Sequence, residues 1–266
     1  VWSSRVESLV SEEQKQAVLP AIASGELILT LAINENARFN PAATAMTATA
    51  DGSDWILNGN KVHVLDGLHA HKALVVARTA GKPGDQDGLA VFMVDTQAEE
   101  LEITGTLNAD NHMAANMRFN SLRVSADALL GEPGKASQML EKSLDIGAVC
   151  SASEMLGIAE EAFKRTVQYL KERKQFGLLV GSFQALQHRA ALVFCELDLS
   201  RSVIFKALQA IDADSGDRAT LASAAKVKCG KTVKLSVNEA VQMHGGIGMT
   251  DQFDIGFFMK RAAAAR

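Results

Sequence analysis

The sequence predicts an α+β protein, in which an antiparallel β domain (middle domain) is followed by an antiparallel C-terminal helical bundle. Two observations support this fold class. Before residue 133, short apolar runs alternate with turn signals such as Asn58-Gly59, whereas after it apolar residues recur at helical spacing. No proline follows Pro133, which favours uninterrupted helices. We therefore expect the end of an N-terminal helical region at 1–25, a β domain at 26–133 and the bundle at 134–266.

The first half of the chain contains one predicted helix and several predicted strands. Ser11 and Gln14 form a capping-box pattern that predicts a helix over 11–19, which Pro20 ends or bends. Val, Leu and Ile dominate four runs between turn signals, which predict antiparallel strands. These runs are 26–33, 54–59, 72–79 and 88–95. The segment EPGK at 132–135 is interpreted as a linker.

The second half predicts three long helices joined by short loops, which is typical of an antiparallel bundle. Their expected ranges are about 136–173, 183–212 and 217–244. The second helix has an apolar stripe that is expected to face the core of the bundle. It consists of Phe183, Leu186, Ala190, Val193, Phe194, Leu197, Ile204, Leu208 and Ile211.

Composition narrows the classes of function. The 266 residues carry a formal net charge of −4, so no global basic field attracts nucleic acid or acidic lipid. No run approaches the roughly 20 apolar residues of a membrane helix, and no signal-peptide pattern opens the chain, so we expect a cytoplasmic protein. The three cysteines are widely spaced, which predicts buried free thiols and no metal site.

Two short motifs remain open to both structural and functional interpretation. In RKQFG (173–177), Arg173 and Lys174 suit the negative end of a helix dipole, and Gly177 suits a left-handed helix cap. In QMHGGIGMT (242–250), the glycines form either a flexible turn or a place where backbone N–H groups approach an anionic ligand.

The order of these motifs resembles that of the acyl-CoA dehydrogenase family of flavoproteins. RKQFG, QALQH (184–188) and QMHGGIGMT occur in that order, and ELILTLAINENARFN and DGSDWILNGNKVHVLDG in the β half are also similar to the family. The resemblance covers about 11–266 and lacks the family's N-terminal helical domain. It implies FAD as cofactor, an acyl-CoA substrate, an electron-transfer flavoprotein or oxygen as electron acceptor, and a homo- or hetero-oligomer with FAD at the subunit interface. No nucleic acid or membrane span is expected.

The resemblance also implies cofactor contacts in the helical half. Arg173 would pair with the pyrophosphate of FAD bound by the adjacent subunit, and Phe176 would pack on the adenine side. Gln242, Gly245 and Gly246 would contact the same cofactor through a side-chain amide and close backbone approach.

In the β half, this chain departs from the family at the flavin ring. Asn34 stands where the family has a threonine that meets the flavin pyrimidine edge. His63, Val64 and Leu65 replace the family's Trp-Ile-Thr, so Leu65 would offer only a backbone N–H.

The family reaction is α,β-desaturation of an acyl-CoA thioester, in which a carboxylate removes the α-proton and hydride passes to flavin N5. In most members that glutamate follows the segment corresponding to FFMKR, and this chain ends before such a stretch. In other members the base aligns with Gly147, and its arginine neighbour aligns with Ala148. Glu154 is the nearest carboxylate further along the same helix, and it is only a weak candidate for the base. An alternative is a non-catalytic, FAD- or acyl-CoA-binding partner subunit of a heteromeric acyl-CoA dehydrogenase, similar to subunits that lack the catalytic glutamate. A generic helical interaction module is a further alternative.

Overall fold

The computed structural model describes residues 11–266, and the chain divides into two compact units. We call Val1–Ser143 the β unit and Leu144–Arg266 the helical unit. Residues 1–10, which form part of the predicted N-terminal region, lie outside the described residues. The predicted domain boundaries at 25 and 133 stay predictions.

The first helix of the described part of the β unit is α1, Glu12–Ser24, whose N-terminus has the predicted capping box. The Gln14 N–H donates to Ser11 Oγ at 3.2 Å, and the Ser11 N–H donates to Gln14 Oε1 at 3.0 Å. The predicted end of the helix was wrong, because the helix continues through Pro20. Pro20 lacks one backbone N–H donor, but the helix continues past it. The helix ends at Gly25, which has the left-handed conformation (φ 80°).

An eight-stranded sheet is the main element of the β unit, with strand order β6-β7-β3-β2-β4-β5-β8 and β1 paired with β4. The strands are β1 Leu29–Ala32, β2 Thr47–Asp51, β3 Asp54–Leu65, β4 Lys72–Arg78, β5 Leu89–Asp95, β6 Leu101–Leu107, β7 Met113–Val124 and β8 Leu129–Leu130. All pairings are antiparallel except β1 with β4 and the single Thr47–Arg78 pairing of β2 with β4. The four predicted apolar runs each contain part of a strand, and one face of the sheet packs into a core around Leu57, Val75, Phe92 and Met117.

Four helices account for most of the second half. Their bounds are α2 Ser137–Glu172, α3 Gln184–Asp212, α4 Arg218–His244 and α5 Ile255–Ala265. The first three match the predicted ranges to within one residue at each end, and α5 was not predicted. The observed α+β arrangement confirms the fold class.

The apolar stripe of α3 is only partly buried. Val193, Leu197, Ile204 and Ile211 belong to the core of the helical unit, whereas Phe194 is exposed. The prediction of buried thiols was wrong for Cys195, which is exposed because it lies between the core positions 193 and 197 on the outer face of α3. Cys150 is half-buried and Cys229 is buried, and all three are free.

Within residues 11–266, no helix combines the length and the apolar character needed to cross a bilayer.

Candidate functional site

The predicted residues of the β unit lie on two adjoining segments. Asn34, which is half-buried, follows β1, and its carbonyl accepts the Val62 N–H at 2.8 Å. His63 follows Val62 in β3, at a β-bulge. Between the pairs Lys61–Met117 and Val64–Ala115, β3 advances by three residues and β7 by two. The bulge gives His63 a positive φ of 51°, and its N–H donates to Asn116 Oδ1 at 3.2 Å.

This bulge determines which of the three predicted side chains can reach a ligand. His63 is exposed, and Leu65 is 57% exposed, which is unusual for a large apolar side chain in a strand. Val64 points into the core of the β unit and is buried. Val64 can therefore contact a ligand only through its backbone, whereas His63 and Leu65 present side chains.

RKQFG does not form a helix cap as its local interpretation suggested. Helix α2 ends at Glu172, and Lys174–Gln175 (β9) then pairs antiparallel with Leu178–Leu179 (β10). Phe176 (φ 54°) and Gly177 (φ 77°) form the two-residue turn of this hairpin, in which both central residues have a positive φ. The interpretation of Gly177 as the helix C-cap was wrong, because a hairpin turn places it five residues past the helix end.

Arg173 stands at the junction between helix and hairpin. Its N–H donates to the Tyr169 carbonyl at 2.9 Å, and its carbonyl accepts the Val180 N–H at 2.8 Å. These bonds fix the backbone at the base of the hairpin. The side chain is exposed, and no residue within 11–266 forms a hydrogen bond or ion pair with its guanidinium.

Phe176 projects from the tip of the hairpin. Its side chain is 90% exposed and makes one ring contact within residues 11–266, edge-to-face with Phe183 at 6.3 Å between centroids. An exposed aromatic side chain in a left-handed turn conformation gains little from packing and is conformationally unfavourable. Such a residue is well suited to stack on a planar ligand.

The glycines of the turn after α4 differ in the space that surrounds them. Gly245, with φ 67° and ψ −146°, ends α4, and its N–H donates to the carbonyl of the exposed Gln242. A Cβ at Gly245 or Gly246 would meet no atom within 4 Å, so the space beside both residues is free. A Cβ at Gly248 would lie 2.7 Å from the Val241 carbonyl oxygen, so this glycine is required by packing.

His244 was missed at the sequence level, although it lies inside the QMHGG motif. Its side chain is 3% exposed, its Nδ1 lies 2.7 Å from the Ala240 carbonyl oxygen, and its Nε2 has no hydrogen-bond partner within the described residues. The ring stacks on Tyr169 at 4.4 Å and lies 4.8 Å from the Phe253 ring. Burial lowers the pKa of His244, although the Ala240 carbonyl and the Asp254 carboxylate oppose this shift.

This aromatic stack joins the ends of two helices. The Tyr169 hydroxyl also donates to the His244 carbonyl at 3.3 Å. Because Tyr169 is four residues before Arg173, and His244 precedes Gly245, the stack holds the start of the hairpin and the glycine turn at the same end of the helical unit.

The candidate base does not have the surroundings of one. Glu154 is exposed and accepts a hydrogen bond from Arg261 Nε at 2.7 Å. A base for an α C–H needs a positioned carboxylate in a dry pocket. Gly147, with open space where a Cβ would lie, and Ala148, which packs on the helical core, carry no ionisable group.

The residues present suit an anionic, aromatic cofactor. In the helical unit, an exposed guanidinium without a described partner and two open glycines are the donors that a pyrophosphate needs. Phe176 adds an exposed aromatic face at the same end of the unit. In the β unit, the exposed Leu65 offers an apolar surface, and its carbonyl accepts the hydroxyl of Thr30 on β1, the strand that Asn34 follows. Each unit by itself therefore fits the part of FAD that the resemblance assigns to it.

Comparison with known proteins identifies the family. The acyl-CoA dehydrogenase middle-domain model matches residues 31–122, and the C-terminal-domain model matches residues 137–266. The probable acyl-CoA dehydrogenase YngJ of Bacillus subtilis is 30% identical over 256 residues, which is 95% of this chain and 67% of that protein. The chain belongs to the acyl-CoA dehydrogenase family. The resemblance seen in the sequence is thereby confirmed. The expectation of an acyl-CoA dehydrogenase-like oxidoreductase is confirmed with it, and the family is a flavoprotein family.

Solved structures of the family are similar in fold. An acyl-CoA dehydrogenase from Geobacillus kaustophilus gives a TM-score of 0.93 at 29% identity, covering 99% of this chain and 70% of that one. The Tcur3481-Tcur3483 steroid ACAD G363A variant gives 0.87 at 29% identity, covering 99% and 68%. The chain thus spans about two thirds of the length of the relatives it matches.

Proposed function

We propose that this chain is an FAD-dependent oxidoreductase that introduces an α,β double bond into an acyl-CoA thioester. One observation carries the proposal most strongly. Arg173 is exposed and has no hydrogen-bond or ion-pair partner among residues 11–266. The Tyr169–His244 stack holds it and the open Gly245–Gly246 turn at one end of the helical unit. Family membership supplies the flavin chemistry that this arrangement would serve.

The residues of the helical unit would hold the adenosine-pyrophosphate part of FAD bound by the adjacent subunit. The Arg173 guanidinium can fork to two phosphate oxygens, which an ammonium group cannot do. Gly245 and Gly246 let backbone N–H groups approach closely, Gln242 offers an exposed side-chain amide, and Phe176 stacks beside the adenine.

The residues of the β unit would receive the flavin ring. Bound FAD supplies the acceptor for the hydride that leaves the substrate β-carbon. Asn34 would donate or accept at the pyrimidine edge, Leu65 would offer its backbone N–H and an apolar side chain, and His63 would cover the ring where the family has an indole. Val64 would act through its backbone.

Proton removal from the substrate α-carbon needs a positioned carboxylate in a dry pocket. Glu154, paired with Arg261 and exposed, would have to release that partner and lose water to act as the base.

A second candidate function is a partner subunit that contributes FAD contacts to a heteromer without performing proton transfer itself. The observation that favours it is the pair Gly147 and Ala148, neither of which has an ionisable side chain. Arg173, Gln242 and the glycines would keep their role toward the cofactor. The two candidates differ in whether the purified chain alone reduces its flavin with an acyl-CoA.

The first test is the visible spectrum and FAD titration of the full-length protein. We expect a yellow protein whose Arg173→Lys variant binds FAD about ten- to hundred-fold more weakly, a loss of roughly 1.5–3 kcal/mol, because lysine cannot form the bidentate contact. Arg201→Lys is the matched control, since Arg201 is an exposed arginine already paired with Glu160 and Asp198. Sedimentation with and without FAD would show whether the oligomer depends on the cofactor.

A colourless protein that takes up no FAD would refute the proposal, and equal FAD affinities of the two variants would remove Arg173 from the site. Anaerobic flavin bleaching with straight, branched, dicarboxylic and steroid acyl-CoAs would define the substrate. Bleaching by the chain alone supports the enzyme. Bleaching only with a co-purified partner supports the second candidate.

The remaining partners follow from the proposed reaction. Reduced flavin must pass its electrons to an electron-transfer flavoprotein or to oxygen, and stopped-flow reoxidation with each acceptor would distinguish them. A cytoplasmic location stays a prediction.

A further inference from the structure

Lys61 is a buried cation in the β unit. It lies two residues before His63 in β3, next to the residues predicted to face the flavin. Its side chain is fully buried, and its ammonium donates to Glu35 Oε1 at 2.7 Å and to the Ile33 carbonyl at 3.2 Å. Burying an ammonium group is costly unless it is paired and hydrogen-bonded. Burial lowers the pKa of Lys61, and the neighbouring Glu35 carboxylate opposes this shift.

The Glu35 carboxylate in turn closes the long loop between β1 and β2. Oε2 accepts the Ala45 N–H at 2.7 Å, and Oε1 accepts the Met46 N–H at 3.0 Å. A Cβ on Gly59 would lie 2.8 Å from the Cβ of Met46, so β3 approaches the loop end as closely as glycine allows. One carboxylate therefore ties both ends of this loop to Lys61.

The residues predicted to contact the flavin are next to Lys61 and Glu35 in the sequence. Asn34 lies between Ile33 and Glu35, to which the Lys61 ammonium donates, and its carbonyl accepts the Val62 N–H at 2.8 Å. The residue after Val62 is His63. Lys61 thus connects the segment that carries Asn34 to the strand that carries the bulge.

We propose that Lys61 and Glu35 are positioning residues, which hold Asn34 and the His63–Leu65 bulge in the one arrangement that receives the flavin ring. The inference rests on the proposed function. The chemistry of the pair argues for positioning rather than for stability alone. An apolar residue of similar volume could fill the same space at little cost in stability, but it could not bind the Ile33 carbonyl and the Glu35 carboxylate together.

The test uses the full-length protein and two variants of the pair. Lys61→Met removes the donor but leaves the Glu35 carboxylate without its cation, which could by itself impair folding. The double variant Glu35→Gln with Lys61→Met removes both charges and so avoids this effect. We expect amide hydrogen exchange of residues 33–46 in the FAD-free protein to become at least tenfold faster in both. We also expect FAD to bind at least tenfold more weakly, with an altered flavin absorption band.

Val91→Ala is the control, because Val91 is a buried residue of β5 that pairs with Val76 and Leu130 and is outside the core cluster that contains Met46 and Val64. It should lower the melting temperature while leaving exchange of residues 33–46, FAD affinity and the flavin band unchanged. If the double variant binds FAD with wild-type affinity and spectrum, or if Val91→Ala weakens FAD binding equally, the positioning role is overturned. A wild-type protein that binds no FAD overturns the proposed function and this inference together, whereas the first outcome overturns the inference alone.

Discussion

The glycines of the 245–248 turn allow a backbone effect, a packing effect and a ligand effect to be separated by alanine substitution. Gly245 adopts φ 67° and ψ −146°, a combination that is nearly exclusive to glycine, but a Cβ there meets no atom. Gly245→Ala should therefore destabilise the FAD-free protein by about 1–3 kcal/mol through backbone strain alone.

The other two positions differ in the space around them. At Gly248 an added Cβ would lie 2.7 Å from the Val241 carbonyl oxygen and 3.0 Å from His244 Cβ, so Gly248→Ala should cost about 1–3 kcal/mol through overpacking. At Gly246 an added Cβ meets nothing and φ is not positive, so Gly246→Ala should change stability by less than about 0.5 kcal/mol. If this turn receives the pyrophosphate, however, the methyl group lies in the path of the ligand.

The measurements are urea unfolding of the FAD-free proteins, because bound cofactor adds its own stabilisation, and FAD titration of each. We expect Gly246→Ala to be as stable as the wild type but to bind FAD at least tenfold more weakly. Wild-type FAD affinity in Gly246→Ala would show that the turn does not receive the cofactor. Wild-type stability in Gly245→Ala would refute the conformational argument.

Three further predictions concern single side chains. Phe176→Asn, which suits the left-handed turn position, should leave the urea midpoint unchanged or raised and should weaken FAD binding, as titration would show. Glu154→Gln should change stability by less than about 1 kcal/mol, because its pair with Arg261 is exposed. Substrate-driven flavin bleaching should persist in that variant, and its loss would identify Glu154 as the base. Since burial lowers the pKa of His244 below its ordinary 6.5, stability is full above that pH and declines as the pH falls toward the lower folded value. His244→Phe should flatten this decline in unfolding curves recorded between pH 7.5 and about 5; an unchanged slope would exclude His244 as its source.

Sequence periodicity predicted the long helices well because their apolar spacing continues up to strong terminators. Helix α4 ends at His244, directly before a glycine with a conformation that helices cannot continue through. The same reasoning failed at RKQFG, since Arg173, Lys174 and Gln175 are good helix formers and Gly177 is a common helix cap. The turn needed a phenylalanine with positive φ, which local propensity does not predict.

The β unit shows a different limit of sequence reasoning. Apolar runs located four strands, but the parallel pairing of β1 with β4 joins Leu29 to Lys72, and only tertiary packing selects such a distant partner. The burial of Lys61 was likewise not predictable, because lysine is almost never fully buried unless it is paired. Its partner Glu35 lies 26 residues away, so no local pattern indicates the pair.

Departures from local rules bear on the candidate site. Within residues 11–266, the non-glycine residues with positive φ are His63, Asp66, Asn111, Ser121, Phe176 and Asp214. Asn, Asp and His tolerate this conformation comparatively well, and Ser121 is supported by bonds from its N–H and hydroxyl to Asn58 Oδ1 at 2.8 and 3.1 Å. Phe176 has neither advantage, and it is 90% exposed, so burial in the chain itself does not offset the strain. A residue that is unfavourable in its own chain is best explained by a contact outside it, and under the proposed function the adenine of FAD would provide one.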